Sequence, residues 1–238
     1  MTNLFYVSEC SSTQDEIEKH ISKAVNSFVA TYTFNQTGGK GQYGNHWELQ
    51  KDLNLAYSIA ICTDQIKLPN HLFNFHTAEV LADFVATLTK EVVQIKWPND
   101  LILKNKKIAG ILIEKKVIQD CPYFIVGIGL NVLQNDFGDL RQAGSLLTQL
   151  GNRFDLHGIA ETLHLYLQSH LLHSVTEKEV IEKINSYLFR KDLVSVFEIH
   201  QVRQNGIIKE VDAEGFIWIE LENKGLKKFF HKEITLLY

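Results

Sequence analysis

A chain of 238 residues, 45% of them hydrophobic, is long enough to bury a sizeable core and fits one medium domain with a small appended unit. A formal net charge of −4 without a strong basic block argues against an electrostatic nucleic-acid surface, and no apolar stretch reaches the roughly 20 residues of a membrane span. The N-terminus, Met1 to Phe5, has neither a basic region before an apolar core nor a small-residue cleavage site, so the cytoplasm is the expected address.

The first predicted element is a helix opening at Ser12 or Thr13, whose hydroxyl can cap the free amides. Asp15 and Glu16 are favourable in its first turn, and Ile17, Ile21, Ala24, Val25 and Phe28 mark its buried face. A strand over Ala30 to Phe34, a glycine-rich loop and a strand over Leu53 to Cys62 follow. The next helix runs from about Asn70 to Lys90, with Leu72, Phe75, Ala78, Leu81, Val85 and Leu88 at helical spacing. Three strand-like runs come next, Val92 to Trp97, Ile108 to Glu114 and Tyr123 to Val132, the first two flanking a short apolar run, Leu101 to Leu103. Two helical patterns cover about Leu156 to Ser174 and Glu177 to Leu188, the second opened by a capping box of Thr176 and Glu179. Near Leu193 the period changes to two. Leu193 to His200, Gln201 to Val211, Phe216 to Leu221 and Lys227 to Ile234 alternate between turn signals at Asn205-Gly206, Asp212-Ala213-Glu214-Gly215 and Asn223-Lys224-Gly225. The expected fold class is α+β, a mixed sheet flanked by helices over residues 1–188 and a small antiparallel barrel or sandwich over residues 189–238.

Cys10, Cys62 and Cys121 are an odd number without close spacing, which argues against a disulfide framework and a zinc cage and leaves them as small buried hydrophobes. His157, His164, His170 and His173 read as exposed helix positions without metal-ligand spacing, and no metal site is expected. Lys104, Lys106, Lys107, Lys115 and Lys116 form the densest basic cluster and read as a solvated hairpin turn.

The most informative run is Lys96-Trp97-Pro98-Asn99-Asp100, followed after a short polar turn by Lys107-Ile108-Ala109-Gly110-Ile111-Leu112. It sets Lys, Asn and Asp against strands too apolar to be surface, where unpaired polar groups are costly, and so reads as a site. Lys107 enters an apolar strand and needs an anion, either Asp100 across the hairpin or a bound carboxylate or phosphate. The loop from Gln36 to Trp47 contains Gly39-x-Gly41-x-x-Gly44 with Asp64 further on, the pattern of a dinucleotide fingerprint. A strand rather than a helix follows it, so the Rossmann reading is rejected. There remains a loop whose amides can approach an anion, with Lys40 adding charge, or else a plain surface loop. Trp47 either stacks on a planar ring or fills the core. Gly127 and Gly129 mark either a close approach to the strand or a bulge in it.

At these residues the chain resembles the bacterial biotin protein ligases, also called biotin-[acetyl-CoA-carboxylase] ligases. Ser12-Thr13-Gln14, Gln36 to Trp47, Lys96 to Asp100 with Lys107 to Leu112, and Gly127 to Val132 stand in that family's order, and the match covers nearly the whole chain. The resemblance implies a catalytic domain related to class II synthetase cores, followed by a small SH3-like barrel. It implies ATP-dependent formation of biotinyl-5'-adenylate and transfer of biotin to a lysine of the biotin carboxyl carrier protein, with Mg2+ arriving on the phosphates. Lys107 and Asp100 take the catalytic positions. Ser12, Thr13, Gln14, Gln36, Gly39, Lys40, Gly41, Gln42, Gly110, Gly127 and Gly129, with Lys107, surround biotin, while Lys40, Gln42, Trp47, Asn99, Lys107 and Asn131 meet ATP.

The family often has Asn where this chain has Gln14, and Arg where it has Lys40 and Gln42. Without a guanidinium at Gln42 the loop loses a charge and a fork of donors, so either weaker retention of the adenylate or a compensating group is expected. Only eleven residues precede Ser12, which leaves no room for the DNA-binding domain many relatives carry, so operator binding is not expected. Members of the family often pair through their sheets, which allows a homodimer. A lipoate ligase or octanoyl transferase, with the same fold and a buried lysine, is the first competitor. The second is a non-enzymatic module that binds biotin without consuming ATP. The Trp97 to Asp100 run and the Gln36 to Trp47 loop favour biotin.

Overall fold

The computed structural model describes residues 3–21 and 28–238. The chain opens with strand β1 (Leu4–Tyr6), two short helices α1 (Thr13–Glu16) and α2 (Glu18–Ile21), and strand β2 (Phe28–Thr33). The single helix expected here is therefore broken at Ile17, and Phe28 begins a strand rather than ending a helix face. Ala24 and Val25 lie outside the described residues. The His20 amide bonds the Ile17 carbonyl at 3.0 Å, a tight turn that lowers Ile17 and Ile21 onto Val29, Ala60 and Ile125. Ser12 stands at the N-cap, but its hydroxyl caps no amide.

A hairpin of β3 (Gly39–Lys40) and β4 (His46–Trp47) carries the glycine-rich loop, followed by β5 (Asn54–Cys62) and α3 (Asn70–Thr89). Strands β6 (Val93–Lys96), β7 (Asp100–Leu103), β8 (Lys106–Ile118) and β9 (Cys121–Asn131) complete a seven-stranded sheet of order β1-β2-β5-β9-β8-β7-β6. Only β1 and β2 run parallel, so the sheet is mixed. The apolar run Leu101 to Leu103 is thus the body of an inner strand, β7.

Alternation divides the sheet cleanly, because successive side chains of a strand point to opposite faces. Phe28, Ala30 and Tyr32 of β2, Leu55, Tyr57, Ile59 and Ile61 of β5, and Phe124, Val126, Ile128 and Leu130 of β9 join the main core with α3 and with α5 (Leu156–His170). On the opposite face α1 and α2 cover Val29, Ala60 and Ile125, and beyond them the sheet carries small residues. A short helix that the sequence did not announce, α4 (Leu146–Leu150), starts from a capping box of Ser145 and Thr148. Helix α6 (Glu177–Tyr187) has the expected box of Thr176 and Glu179, a device that stabilises a helix start by about 1 kcal/mol.

Strands β10 (Val194–Ile199), β11 (Val202–Val211), β12 (Ile217–Leu221), β13 (Gly225–Phe229) and β14 (Thr235–Leu237) form an antiparallel sheet of order β13-β12-β11-β10-β14, whose edges are β13 and β14. The single strand expected over Lys227 to Ile234 is two, separated by a turn in which Lys232 takes a φ of 72°. This sheet shares one hydrophobic cluster with the larger one, through Phe197, Ile208, Val211, Ile217, Ile219 and Leu221. The Asn185 side chain makes two bonds to Val211, each 2.8 Å, and His71 Nε2 donates to the Ala213 carbonyl at 2.7 Å.

Three expectations about single residues change. Of the cysteines only Cys10 is buried, since Cys121 is exposed at the start of β9 and Cys62 is intermediate. His164 is buried rather than exposed, bonded through Nδ1 to the Tyr57 hydroxyl at 2.8 Å, and burial pushes its pKa down to about 4. Of the five clustered lysines three form ion pairs, Lys104 with Glu91, Lys107 with Asp100, and Lys116 with Asp15 and Glu18, while Lys104 and Lys106 flank the β7–β8 turn as expected. Among the described residues no helix is long and apolar enough to cross a membrane.

Candidate active site

The face of the large sheet opposite α3 and α5 has a trough in it. Ala56 is registered with Gly129, Gly129 with Gly110 and Gly110 with Asp100, so one row across four strands carries almost no side chain until it reaches a carboxylate. The next row is Ser58, Gly127 and Leu112. The β5–β9 ladder is unbroken from Asn54 and Asn131 to Cys62 and Tyr123, so the glycines mark close approach and not a bulge. A Cβ on Gly127 would stand 2.6 Å from Gln14 Nε2, and one on Gly129 2.2 Å from Trp47 Cε2.

A bulge does occur one strand along. Leu101 pairs with Ala109 but Ile102 pairs with Lys107, leaving Ile108 as the extra residue. That insertion reverses the alternation and turns Lys107 onto the trough face that Gly110 occupies. Lys107 Nζ meets Asp100 Oδ1 at 2.8 Å and lies 5.5 Å from the Trp47 ring centroid. The Lys107 amide donates to the Gln142 carbonyl at 2.7 Å and its carbonyl accepts from Gly144, so backbone bonds on both sides hold the lysine in place.

Polar groups from α1 and the following loop close one end. Gln36 Oε1 accepts from the Thr13 amide at 2.8 Å and the Thr13 hydroxyl at 3.1 Å, and Ser58 donates to Thr13 Oγ1 at 2.9 Å. Gln14 Nε2 donates to the Leu112 carbonyl at 2.9 Å. Ser12 Oγ, Gln14 Oε1 and the indole Nε1 of Trp47 are buried and make no hydrogen bond. Buried polar atoms without partners are uncommon, and three of them stand around this one trough, which makes it a candidate ligand site. The β3–β4 loop is tied back to α1 by Lys40, 2.7 Å from Asp15 Oδ2. Burial raises the Asp15 pKa, but hydrogen bonds from Lys40 and Lys116 outweigh it and hold the carboxyl below its ordinary value.

All the expected site residues except Gly39 and Asn131 line one cavity of about 240 Å³. Gly39 lies behind the wall, where a Cβ would be 2.3 Å from the Trp47 carbonyl oxygen. Asn131 lines an adjoining groove of about 970 Å³ that runs along residues 134–143 and shares His46, Trp47 and Lys107 with the cavity boundary. Two of the expected groups are partly used in bracing the fold, Asn131 Nδ2 on the Gly144 carbonyl at 3.0 Å and Asn99 Nδ2 on the Ile111 carbonyl at 2.6 Å.

The cavity also contains residues that motif reasoning passed over, chiefly Lys96, Asn45, His46 and His231. Lys96 was legible, since it opens the informative run. Burial lowers its pKa, with Asp100 opposing and Lys107 adding to the shift. His231 comes from the turn after β13, over 120 positions from Lys107, and no local signal marks it.

Residues 6–131 match the sequence profile of the Biotin/lipoate A/B protein ligase family. Over 248 aligned positions the chain is 25% identical to the bifunctional ligase/repressor BirA of Bacillus subtilis (strain 168), covering 98% of this chain and 74% of that one. The BirA of Escherichia coli (strain K12) is 26% identical over 226 positions, 90% of this chain and 67% of that one. In three dimensions the chain shares the fold of the biotin protein ligase from Aquifex aeolicus in complex with biotin and ATP, with a TM-score of 0.80 at 22% identity, over 100% of this chain and 99% of that one. With the profile spanning more than half its length, the chain belongs to the biotin/lipoate A/B protein ligase family.

Proposed function

We propose that this protein is an ATP-dependent biotin ligase. The observation that carries this reading within the family is the pair of unpartnered buried atoms at the closed end of the trough, Ser12 Oγ and Gln14 Oε1. Biotin ends in a cyclic urea, with two N–H donors and a carbonyl acceptor. Gln14 Oε1 can take an N–H, and the Ser12 hydroxyl can donate to the carbonyl. The dithiolane ring of lipoate and the methyl end of octanoate offer neither. Either acid would leave both atoms buried and unpaired, at about 1–3 kcal/mol for each.

In the proposed reaction a biotin carboxylate oxygen attacks the α-phosphorus of ATP, the bond to the β-phosphate bridge breaks, and pyrophosphate leaves. Lys107, held by Asp100, neutralises the charge that grows between carboxylate and phosphate. The groove beside Asn131 is the proposed seat of the nucleotide, with Trp47 positioned for the adenine and Lys40 and Gln42 closing over the phosphates. Mg2+ is proposed to arrive on those phosphates as part of the substrate. The adenylate then acylates a lysine of a biotin carboxyl carrier protein in the cytoplasm, releasing AMP. Division into a class II synthetase-like catalytic unit over residues 1–188 and an SH3-like unit over residues 189–238 belongs to the same proposal.

Biotin-dependent exchange of labelled pyrophosphate into ATP, run beside lipoate and octanoate, tests the reading. Exchange with biotin alone is expected. Exchange with lipoate or octanoate in its place would reassign the substrate, and biotin binding without exchange would make the protein a binding module.

A further inference from the structure

Transfer of an acyl group to lysine needs a group that the adenylation chemistry does not. At neutral pH the lysine is an ammonium ion without a lone pair, and it must lose a proton before it can attack. Asp100 holds Lys107 through its Oδ1 at 2.8 Å, and carboxylates are in general weaker bases than an imidazole.

Among the described residues, His231 is the one that lines the catalytic cavity together with both neighbouring hollows on the side of the C-terminal sheet. One of these is a groove of about 270 Å³ that meets the catalytic cavity at His231 and Gln42 and lies away from the Asn131 groove. Phe75 and Phe124 give this groove an apolar side, while His71 and Glu214 give it polar ones. Such a channel suits the four-carbon stem of a lysine, which prefers apolar walls along its length and polar groups at its tip. His231 stands where that tip would enter the cavity.

The imidazole is held firmly. Its turn is closed by the Phe230 amide on Glu233 Oε2 at 2.7 Å and the Glu233 amide on the Phe230 carbonyl at 3.1 Å. Its ring packs edge-on against Trp97, with centroids 5.7 Å apart. Facing it from the large sheet are Asp100 and Lys96, and beside it in the turn is Lys232. The catalytic cavity adds Lys40, His46 and Lys107, and the groove adds His71, Lys115 and Glu214. Burial lowers the pKa of His231, Asp100 opposes, and Lys232 and Lys96 add to the lowering, which favours the neutral ring.

We infer that His231 is a catalytic residue of the transfer half-reaction, taking the proton from the acceptor lysine as that side chain enters through the groove. The inference rests on the biotin ligase reading. The ammonium gives one proton to the imidazole, and the freed lone pair on nitrogen attacks the acyl carbon of biotinyl-5'-adenylate. The bond from acyl carbon to phosphate oxygen then breaks, its electron pair leaving with AMP. The second nitrogen proton passes to water, and the imidazolium returns its own to solvent.

The test separates the half-reactions in the wild type, His231→Gln and His231→Ala. Adenylate formation is read as biotin-dependent pyrophosphate exchange. Transfer is read as the single-turnover decay of enzyme-bound biotinyl-5'-adenylate on addition of Nα-acetyl-lysine amide, with the non-enzymatic rate subtracted. Hydroxylamine, unprotonated at neutral pH, serves as the comparison acceptor. The expected result is a fall in the ratio of lysine transfer to exchange on the order of 10²-fold in both variants. Hydroxylamine transfer should fall far less, and lysine transfer by the variants should keep rising with pH into the amine's own titration range instead of levelling off near neutrality as in the wild type. Equal losses in both half-reactions, equal losses with both acceptors, or undiminished lysine transfer would overturn the inference. A wild type without biotin-dependent exchange would overturn the ligase reading itself, and the inference with it.

Discussion

Trp47 lies in the trough, and adding one methyl group beneath it should reveal this. In Gly129→Ala the new Cβ would stand 2.2 Å from Trp47 Cε2, 2.4 Å from Nε1 and 2.6 Å from Cζ2. An ordinary carbon–carbon contact is about 3.5 Å, so the indole must retreat by at least about 1.3 Å. Gly129 itself has little room to yield, because it sits mid-strand with Ala56 on one side and Gly110 on the other. Overpacking of this kind costs about 1–3 kcal/mol. If Trp47 is what the methyl strikes, the cost should largely vanish once the indole is gone. Urea unfolding of the wild type, Gly129→Ala, Trp47→Ala and the double variant measures this as a coupling energy, expected to be about 1 kcal/mol or more. Tryptophan emission should shift to the red in Gly129→Ala as the displaced ring meets water. Additive effects within about 0.3–0.5 kcal/mol, with unshifted emission, would show that Trp47 does not occupy the trough.

Three further outcomes follow from the same geometry. Lys107→Ala should slow biotin-dependent pyrophosphate exchange on the order of 10²-fold or more, while a near-normal rate would remove the lysine from adenylate formation. Gln14→Leu deletes the acceptor meant for a urea N–H, so calorimetric affinity for biotin should fall roughly tenfold or more. An unchanged biotin affinity would dissociate Gln14 Oε1 from the ligand. Away from the site, Glu79 is buried, with burial raising its pKa to about 8, Lys183 and the Ile184 amide opposing, and Asp83 adding to the rise. The folded state therefore keeps a proton that the unfolded chain has lost, and Glu79 makes stability fall as pH rises from about 4.5 to about 8. Its share of the slope is up to roughly 1 kcal/mol per pH unit. Glu79→Gln should flatten the urea midpoint across that window, and an unaltered slope would show that Glu79 ionises normally in the fold.

Much of the fold was legible because its signals are local. The change from helical spacing to period two near Leu193 located the second sheet, and the polar turn between Asp100 and Lys107 announced the hairpin that pairs them. His164 could have been placed correctly, since it sits with Ala160, Leu163, Leu167 and Leu171 at helical spacing on one buried stripe. Other features leave no such trace. The bulge at Ile108 uses an apolar β-branched residue that any strand would carry, yet it decides which way Lys107 points. The break at Ile17 is imposed by the sheet beneath it, and the turn at Lys232 lacks the glycine or asparagine that usually marks a positive φ. His231 reaches the cavity only because the second sheet docks on α3 and α6, a tertiary event with no sequence period.

A competition among the three acids asks directly whether the trough selects biotin and joins it to AMP. The protein should be incubated with α-labelled ATP and equal concentrations of biotin, lipoate and octanoate, and the acyl adenylate identified by mass spectrometry. Biotinyl-5'-adenylate alone is expected. A lipoyl or octanoyl adenylate, or biotin bound with ATP left intact, would contradict it.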